Sequence, residues 1–245
     1  STGNVGIGKS TFAALTTGDY NVGIGYNAMA AVTTSSKNVG IGNEALLVNT
    51  TGEGTAIGDG AMKANTTGAD NVAIGLQSMA SNTTASNNTA VGRNSLKSNT
   101  TGSKNVAIGM QSFKTNTTGM DSVAIGYTAL ALSTTSSNNV GIGAYALTAN
   151  TTGAQNTAIG HNSLLGNTTA SYGTALGSRA LMNVTTGIEN TAVGYGAGDA
   201  ITTGTGNAFF GLNAGGATTT SNGNVAIGYS AFVSNTTGTR CVAIG

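Results

Sequence analysis

The 245-residue chain has no proline and no tryptophan, a single cysteine, a single histidine, and charged side chains at only 7% of its positions. Each shortage excludes something. Without proline every backbone N–H stays available as a donor, and 39 glycines supply corners, a pairing that suits a hydrogen-bonded β ladder with sharp turns. Cys241 alone cannot close an intramolecular disulfide. A net charge of +1 leaves no basic surface for phosphates or anionic lipid headgroups, so neither nucleic acid nor a membrane surface is an expected partner. Apolar stretches end after three to five residues at Gly, Asn or Thr. A spanning helix needs roughly 20, so no membrane insertion is expected, and no stretch reads as a signal peptide.

Sets of catalytic or metal-ligating residues are missing as well. His161 stands at the variable position after an Ile-Gly pair, where Lys9, Tyr26, Asp59, Arg93 and Tyr127 also occur, and reads as a surface residue. The eight acidic residues, Asp19, Glu44, Glu53, Asp59, Asp70, Asp121, Glu189 and Asp199, share no recurring phase that would build a carboxylate pair or a calcium loop. Gly6-Ile7-Gly8-Lys9-Ser10 lacks the spacing of a phosphate loop. The sequence therefore predicts no enzyme, no cofactor and no metal site.

What the chain does have is repetition. Fourteen Thr-Thr pairs, beginning at Thr16 and ending at Thr236, recur every 17 residues with a single 16-residue step. An Ile-Gly pair or a close variant recurs in phase with them, from Ile7 to Ile244. The consensus N-V-A-I-G-x-N-A-L-x-x-N-T-T-G-x-x is numbered here from its first Asn, so that Asn71 is position 1 and Asn87 position 17. The short step falls at Gly52-Glu53-Gly54-Thr55, and a deletion tolerated there marks a surface turn. Large apolar residues return at fixed phase, which a disordered low-complexity chain would not show. Residues 1–245 thus form one repeat array in sequence, read as a fragment of a longer protein or an uncapped filament protomer.

Gly and Thr-Thr interrupt every ten-residue window, which disfavours helices, while Asn71-Val72-Ala73-Ile74 and its copies are β-prone and bounded by turn residues. The fold class predicted is all-β, a parallel β-solenoid or β-roll of about fourteen 17-residue coils. Each coil would contain two or three short strands and stack at about 4.8 Å. Strand alternation puts Val72 and Ile74 on one face and Ala73 on the other, so both faces read as buried, one inside the coil and one against a neighbouring chain. A homo-oligomer follows.

Met29, Leu46, Met62, Met79, Leu96, Phe113, Leu130, Leu147, Leu164, Leu181 and Phe232 fill the coil core at position 9, each preceded by Ala or Ser. Gly198 and Gly215 break this row, and the rings of Phe209 and Phe210 are expected to replace the two lost leucines. Asn49, Asn65, Asn82, Asn99, Asn116, Asn150, Asn167 and Asn235 precede the Thr pair and are expected to form a structural ladder of stacked amides. The same asparagines, with Asn87 and Asn183, match the N-x-[ST] glycosylation pattern, but sugars about 4.8 Å apart would crowd one another.

The strand motif, seen as Asn71-Val72-Ala73-Ile74-Gly75, Asn105-Val106-Ala107-Ile108-Gly109 and Ser122-Val123-Ala124-Ile125-Gly126, resembles the head repeat of trimeric autotransporter adhesins. The version lengthened by N-T-T-G looks like repeats of phage tail-fibre and related surface proteins. The resemblance implies a homotrimeric, left-handed parallel β-roll at a cell or virion surface, outside the cell. On that basis the expected role is a structural or adhesive fibre segment, the stalk or head of a surface adhesin or tail fibre. A host-surface receptor or glycan would meet the variable outward residues Tyr26, Leu76, Met110, Tyr127, Tyr195 and Tyr229. Two alternatives remain open at this point: a protomer of an extracellular filament stacking end to end, and an ice-binding solenoid using its Thr rows.

Overall fold

The computed structural model describes residues 1–245 and contains strands and turns but no helix. No helix is therefore long and apolar enough to cross a membrane. The chain divides into two compact units, Ser1–Asp121 and Ser122–Gly245. Each is a parallel β-solenoid in which one repeat makes one coil.

The first unit carries β1 (Val5–Ile7), β2 (Val22–Ile24), β3 (Val39–Ile41), β4 (Gly54–Ile57), β5 (Asn71–Ile74), β6 (Thr89–Val91) and β7 (Val106–Ile108). Each pairs in parallel with the next, like position on like position, as in Val72 with Thr89, Ala73 with Ala90 and Ile74 with Val91. The second unit carries β8 (Val123–Ile125), β9 (Val140–Ile142), β10 (Thr157–Ile159), β11 (Thr174–Leu176), β12 (Thr191–Val193), β13 (Ala208–Phe210), β14 (Val225–Ile227) and β15 (Val242–Ile244), paired in the same way.

Only one strand forms per coil, not the two or three expected. The strand ends because the glycine at position 5 turns sharply: Gly75 has φ +128°, and a Cβ there would lie 2.7 Å from the carbonyl carbon and oxygen of Gly92. Beyond it, the chain makes overlapping turns. The Ser78 N–H donates to the Gly75 carbonyl at 3.1 Å and the Asn82 N–H to the Met79 carbonyl at 3.0 Å. Gln77 and Met79, at φ 54° and 49°, are both left-handed. Their N–H groups donate outside the coil, Gln77 to Asp59 of the preceding coil at 2.8 Å and Met79 to Ser95 of the following one at 3.0 Å.

Left-handed backbone at a bulky residue costs roughly 1–2 kcal/mol, and burial is what supports it here. An extended segment would send Ser78 and Met79 to opposite faces. With Met79 left-handed, both enter the core, and both are fully buried. Leu96, Phe113, Leu130, Leu147, Leu164 and Leu181 repeat the arrangement.

The strand face turned into the coil is the Ala/Gly one: Ala73, Ala90, Ala107, Ala124 and Ala158 are fully buried. Val and Ile at positions 2 and 4 point outward and are half-buried or exposed. The single chain covers only the small-residue face, because a coil this thin has room for methyl groups beside the position 9 side chains and for little else; the other face is the one expected to meet a neighbouring chain.

The two-ring expectation is corrected. Phe209 is fully buried, whereas Phe210 is 39% exposed on the outward face. Alternation forbids adjacent strand residues from sharing a side, so a single ring serves both glycines.

The short coil lies where expected. Other coils place a left-handed residue at position 17, such as Asp70, Asn87 and Lys104. The shortened coil omits it, and β4 begins one residue early with Gly54 opposite Asn71. Glu53 at this corner is exposed and pairs with Lys37 at 3.4 Å.

Candidate functional site

No three His, Cys, Asp or Glu side chains come together, and the surface holds no enclosed pocket. The chemistry on offer is that of rows of side chains, three outward and two of asparagine turned inward.

The first inward row contains the asparagines that precede the Thr pairs. Asn65 donates from Nδ2 to Oδ1 of Asn49 at 2.8 Å, Asn82 to Asn65 at 2.7 Å, Asn99 to Asn82 at 3.0 Å and Asn116 to Asn99 at 2.8 Å. In the second unit Asn167 donates to Asn150 at 3.2 Å. The second Nδ2 hydrogen closes the turn of its own coil, from Asn65 to the Gly68 carbonyl at 2.9 Å and from Asn99 to the Gly102 carbonyl at 2.9 Å. Asn49 closes its turn on the Gly52 carbonyl in the same way. The Asn235 side chain bonds only within its own turn, donating to the Gly238 carbonyl at 3.2 Å and accepting the Gly238 N–H at 2.9 Å, because Thr218 occupies the equivalent site in the preceding coil. The other seven of these eight asparagines are fully buried, which hides their amides from a glycosyl donor. Asn87 and Asn183 are exposed.

A second Asn row, at position 1, was not anticipated from the sequence. There Oδ1 of one coil accepts the backbone N–H of the next: Asn71 accepts from the Asn88 N–H at 3.0 Å, Asn88 from Asn105 at 2.9 Å, Asn190 from Asn207 at 3.0 Å, and Asn207 from Asn224 at 2.9 Å. Nδ2 reaches across the coil to the position 15 carbonyl, from Asn71 to Ala85 at 2.7 Å and from Asn88 to Gly102 at 3.0 Å. The recurrence of Asn before each Val-Ala-Ile was the available signal. Read as the first residue of a β-prone segment it pointed nowhere further, since only the closed coil brings it opposite position 15. Cys241 takes this position in its coil, its N–H donating to Asn224 at 3.0 Å.

Of the outward rows, the first is the strand face. Ile74, Ile108, Leu176, Phe210 and Ile227 are exposed on it. On each unit it is a regular apolar strip, and such strips mark contact surfaces.

The Thr pairs form the second row. The first Thr is committed to the backbone: Thr66 Oγ1 donates to the Thr83 carbonyl at 2.9 Å, Thr83 to Thr100 at 3.1 Å and Thr151 to Thr168 at 2.9 Å. The second, as at Thr67, Thr84, Thr101 and Thr152, is exposed. One outward file of threonines results, not two.

The third row is the corner after Ile-Gly, positions 6 and 7. It holds Tyr26, Leu76, Met110, Tyr127, Tyr195 and Tyr229, all exposed, Tyr229 at 74%. The structure does not gather these six into one cluster. It joins Tyr127 to two residues outside that set, Tyr145 at a ring-centroid distance of 5.3 Å and, through Tyr145, His161 at 5.9 Å. In the first unit Lys9 lies over the Tyr26 ring at 6.0 Å.

One ion pair stands near this corner in the second unit. Arg179 Nη2 meets Asp199 Oδ2 at 3.3 Å. Burial pushes the Asp199 carboxyl above its ordinary value, against the opposing pull of Arg179 and of a backbone N–H.

No protein-family model matches the chain, and neither does any curated protein sequence.

Proposed function

We propose that the chain is a non-enzymatic segment of an extracellular fibre or adhesin at a cell or virion surface, assembled as a homotrimer. The observation that carries this reading is the outward strip at positions 2 and 4, mostly Val or Thr at the first and mostly Ile at the second. A strip of β-branched side chains repeated at coil spacing is a strong hydrophobic surface, and a second copy of the same chain offers the same strip at the same spacing. The likeness of the N-V-A-I-G repeat to adhesin heads favours three copies over two. Contact with a host receptor or glycan then falls to the position 6 corner. Sedimentation equilibrium tests the assembly: three times the chain mass is expected, and a monomer at micromolar concentration rejects the trimer. Electron microscopy of the same sample should show particles of fixed length; indefinite fibrils would replace this reading with the end-to-end filament.

The exposed file of Thr67, Thr84 and Thr101 supports a second reading, an ice-binding face. Thermal hysteresis that vanishes when these residues are made bulky would establish it, and normal freezing would remove it.

A further inference from the structure

Positions 6 and 7 hold five of the seven tyrosines, Tyr26, Tyr127, Tyr145, Tyr195 and Tyr229, together with the only histidine. Two positions in seventeen thus carry most of the aromatic surface that also bears a polar edge. None of these rings fills the core: Tyr145 is 39% exposed and Tyr127 and His161 are exposed too. Burial therefore does not explain their placement.

In the second unit, rings from three successive coils touch in a chain. Tyr127 meets Tyr145 at 85° between planes, and Tyr145 meets His161 at 85°. Edge-to-face contact of this kind restrains each side chain before any ligand arrives, which lowers the ordering cost of binding. Asn162 and Ser178, which also stand at positions 7 and 6, supply polar groups that are half-exposed.

The geometry points to Tyr127, Tyr145 and His161 as a stacking surface for a neutral polysaccharide running along the coils of the second unit. This rests on the reading of positions 6 and 7 as the outward contact surface and names its ligand class. Charge selects the neutral class. The second unit has only two cationic side chains, Arg179 and Arg240, and two acidic ones, Glu189 and Asp199. Arg179 is held by Asp199, so an anionic polymer finds no free partner near the rings. Shape selects a polymer over a folded protein. With no enclosed pocket to take an anchoring side chain, a row of about one ring per coil suits a ligand that itself repeats. Sugar C–H faces lie against the electron-rich ring faces, while ring hydroxyls of the sugar meet the phenol and imidazole edges.

Saturation-transfer NMR on the full chain, with irradiation of the tyrosine ring protons, tests this using cellohexaose and maltohexaose as neutral probes and hexagalacturonate as the acidic one. Transfer to a neutral hexaose is expected. Tyr145→Asn should weaken binding about ten-fold, and His161→Ser should weaken it in the same direction. Both place at the site a residue that other coils already carry, Asn162 and Ser178 respectively. Tyr172→Asn, which removes an exposed ring at position 17, should leave binding unchanged. No transfer to either neutral hexaose, transfer to hexagalacturonate alone, or equal binding by both weakened variants would overturn the assignment. Sedimentation of the same sample separates the two readings: a trimer that binds no sugar rejects only the stacking surface, and a monomer that binds rejects only the trimeric fibre.

Discussion

Phe209 occupies the space in which a side chain on Gly215 would sit: a Cβ on Gly215 would fall 2.5 Å from Cε2 of the ring. The same ring closes on Gly198, where a Cβ would lie 2.8 Å from Cδ2. Two coils have given up the position 9 side chain, and the strand between them has given up its small inward residue, so three departures from the repeat are one packing solution.

Their coupling is measurable. Gly215→Leu restores the repeat consensus yet should destabilise by about 1–3 kcal/mol through overpacking, and Phe209→Ala should cost about 3–5 kcal/mol through the cavity it leaves. The double variant should lose less than the sum of the two by 1 kcal/mol or more, the sign expected of residues that compete for one volume. Chemical denaturation of the four proteins checks this, and strict additivity would contradict the shared site.

Asn82 sits in the middle of the inward amide row, bonded to Asn65, Asn99 and Ala85. Asn82→Ala leaves buried donors and acceptors unpaired and should cost about 2–3 kcal/mol. Thr84→Ala, on the exposed file two residues away, should change stability by about 0.5 kcal/mol or less. Urea midpoints compare the two directly.

Glycine is required at position 5 but not at position 7. Gly75→Ala drives a Cβ into the Gly92 backbone at φ +128° and should cost about 3 kcal/mol or more. Gly60→Ala places its Cβ in ordinary contact, 3.7 Å from the Gln77 and Lys63 side chains, at φ +62°, a conformation that Gln77 and Asn94 adopt at the same position, and should cost about 1 kcal/mol or less. Thermal midpoints should rank the two in that order.

Asp199 gives the chain a pH dependence of defined sign. Its carboxyl is raised in the folded protein by burial, so the folded state holds its proton more tightly than the unfolded chain. Stability from this group is full below the unfolded value and falls as pH rises through the folded one. Asp199→Asn should therefore raise the melting temperature at pH 7 relative to the parent, with the gap closing toward pH 3. A gap that widens on acidification would reverse the assignment.

Ile108 lies on the outward strand face at 39% exposure. Ile108→Glu should leave the β-sheet circular dichroism of the coil unchanged while shifting the sedimenting species toward the monomer. An unchanged assembly would place the subunit contact elsewhere.

Much of the architecture was legible from spacing. A 17-residue period, strands at Val-Ala-Ile, the buried row from Met29 to Leu181 and the surface turn at Glu53 can all be read from Thr-Thr and Ile-Gly alone. Three features were not. Position 9 needs left-handed backbone at Leu and Met, which no propensity argument predicts, because its cost is offset only when the side chain is buried. Position 1 Asn reads as the start of a strand segment until the coil closes and sets it against the position 15 carbonyl. The Tyr127–Tyr145–His161 chain spans positions 6 and 7 of different coils, and contact between them depends on the ring directions, which the period does not carry.

The sequence by itself determined that this chain is a stack of like β coils, because a strict period with β-prone residues, abundant glycine and no proline admits no other economical way to satisfy the backbone. Which side of each strand faces inward was decided only in three dimensions. The coil interior, already filled by position 9 side chains and two rows of buried amides, has width left only for Ala and Gly. The larger Val and Ile side chains are therefore turned to the outside.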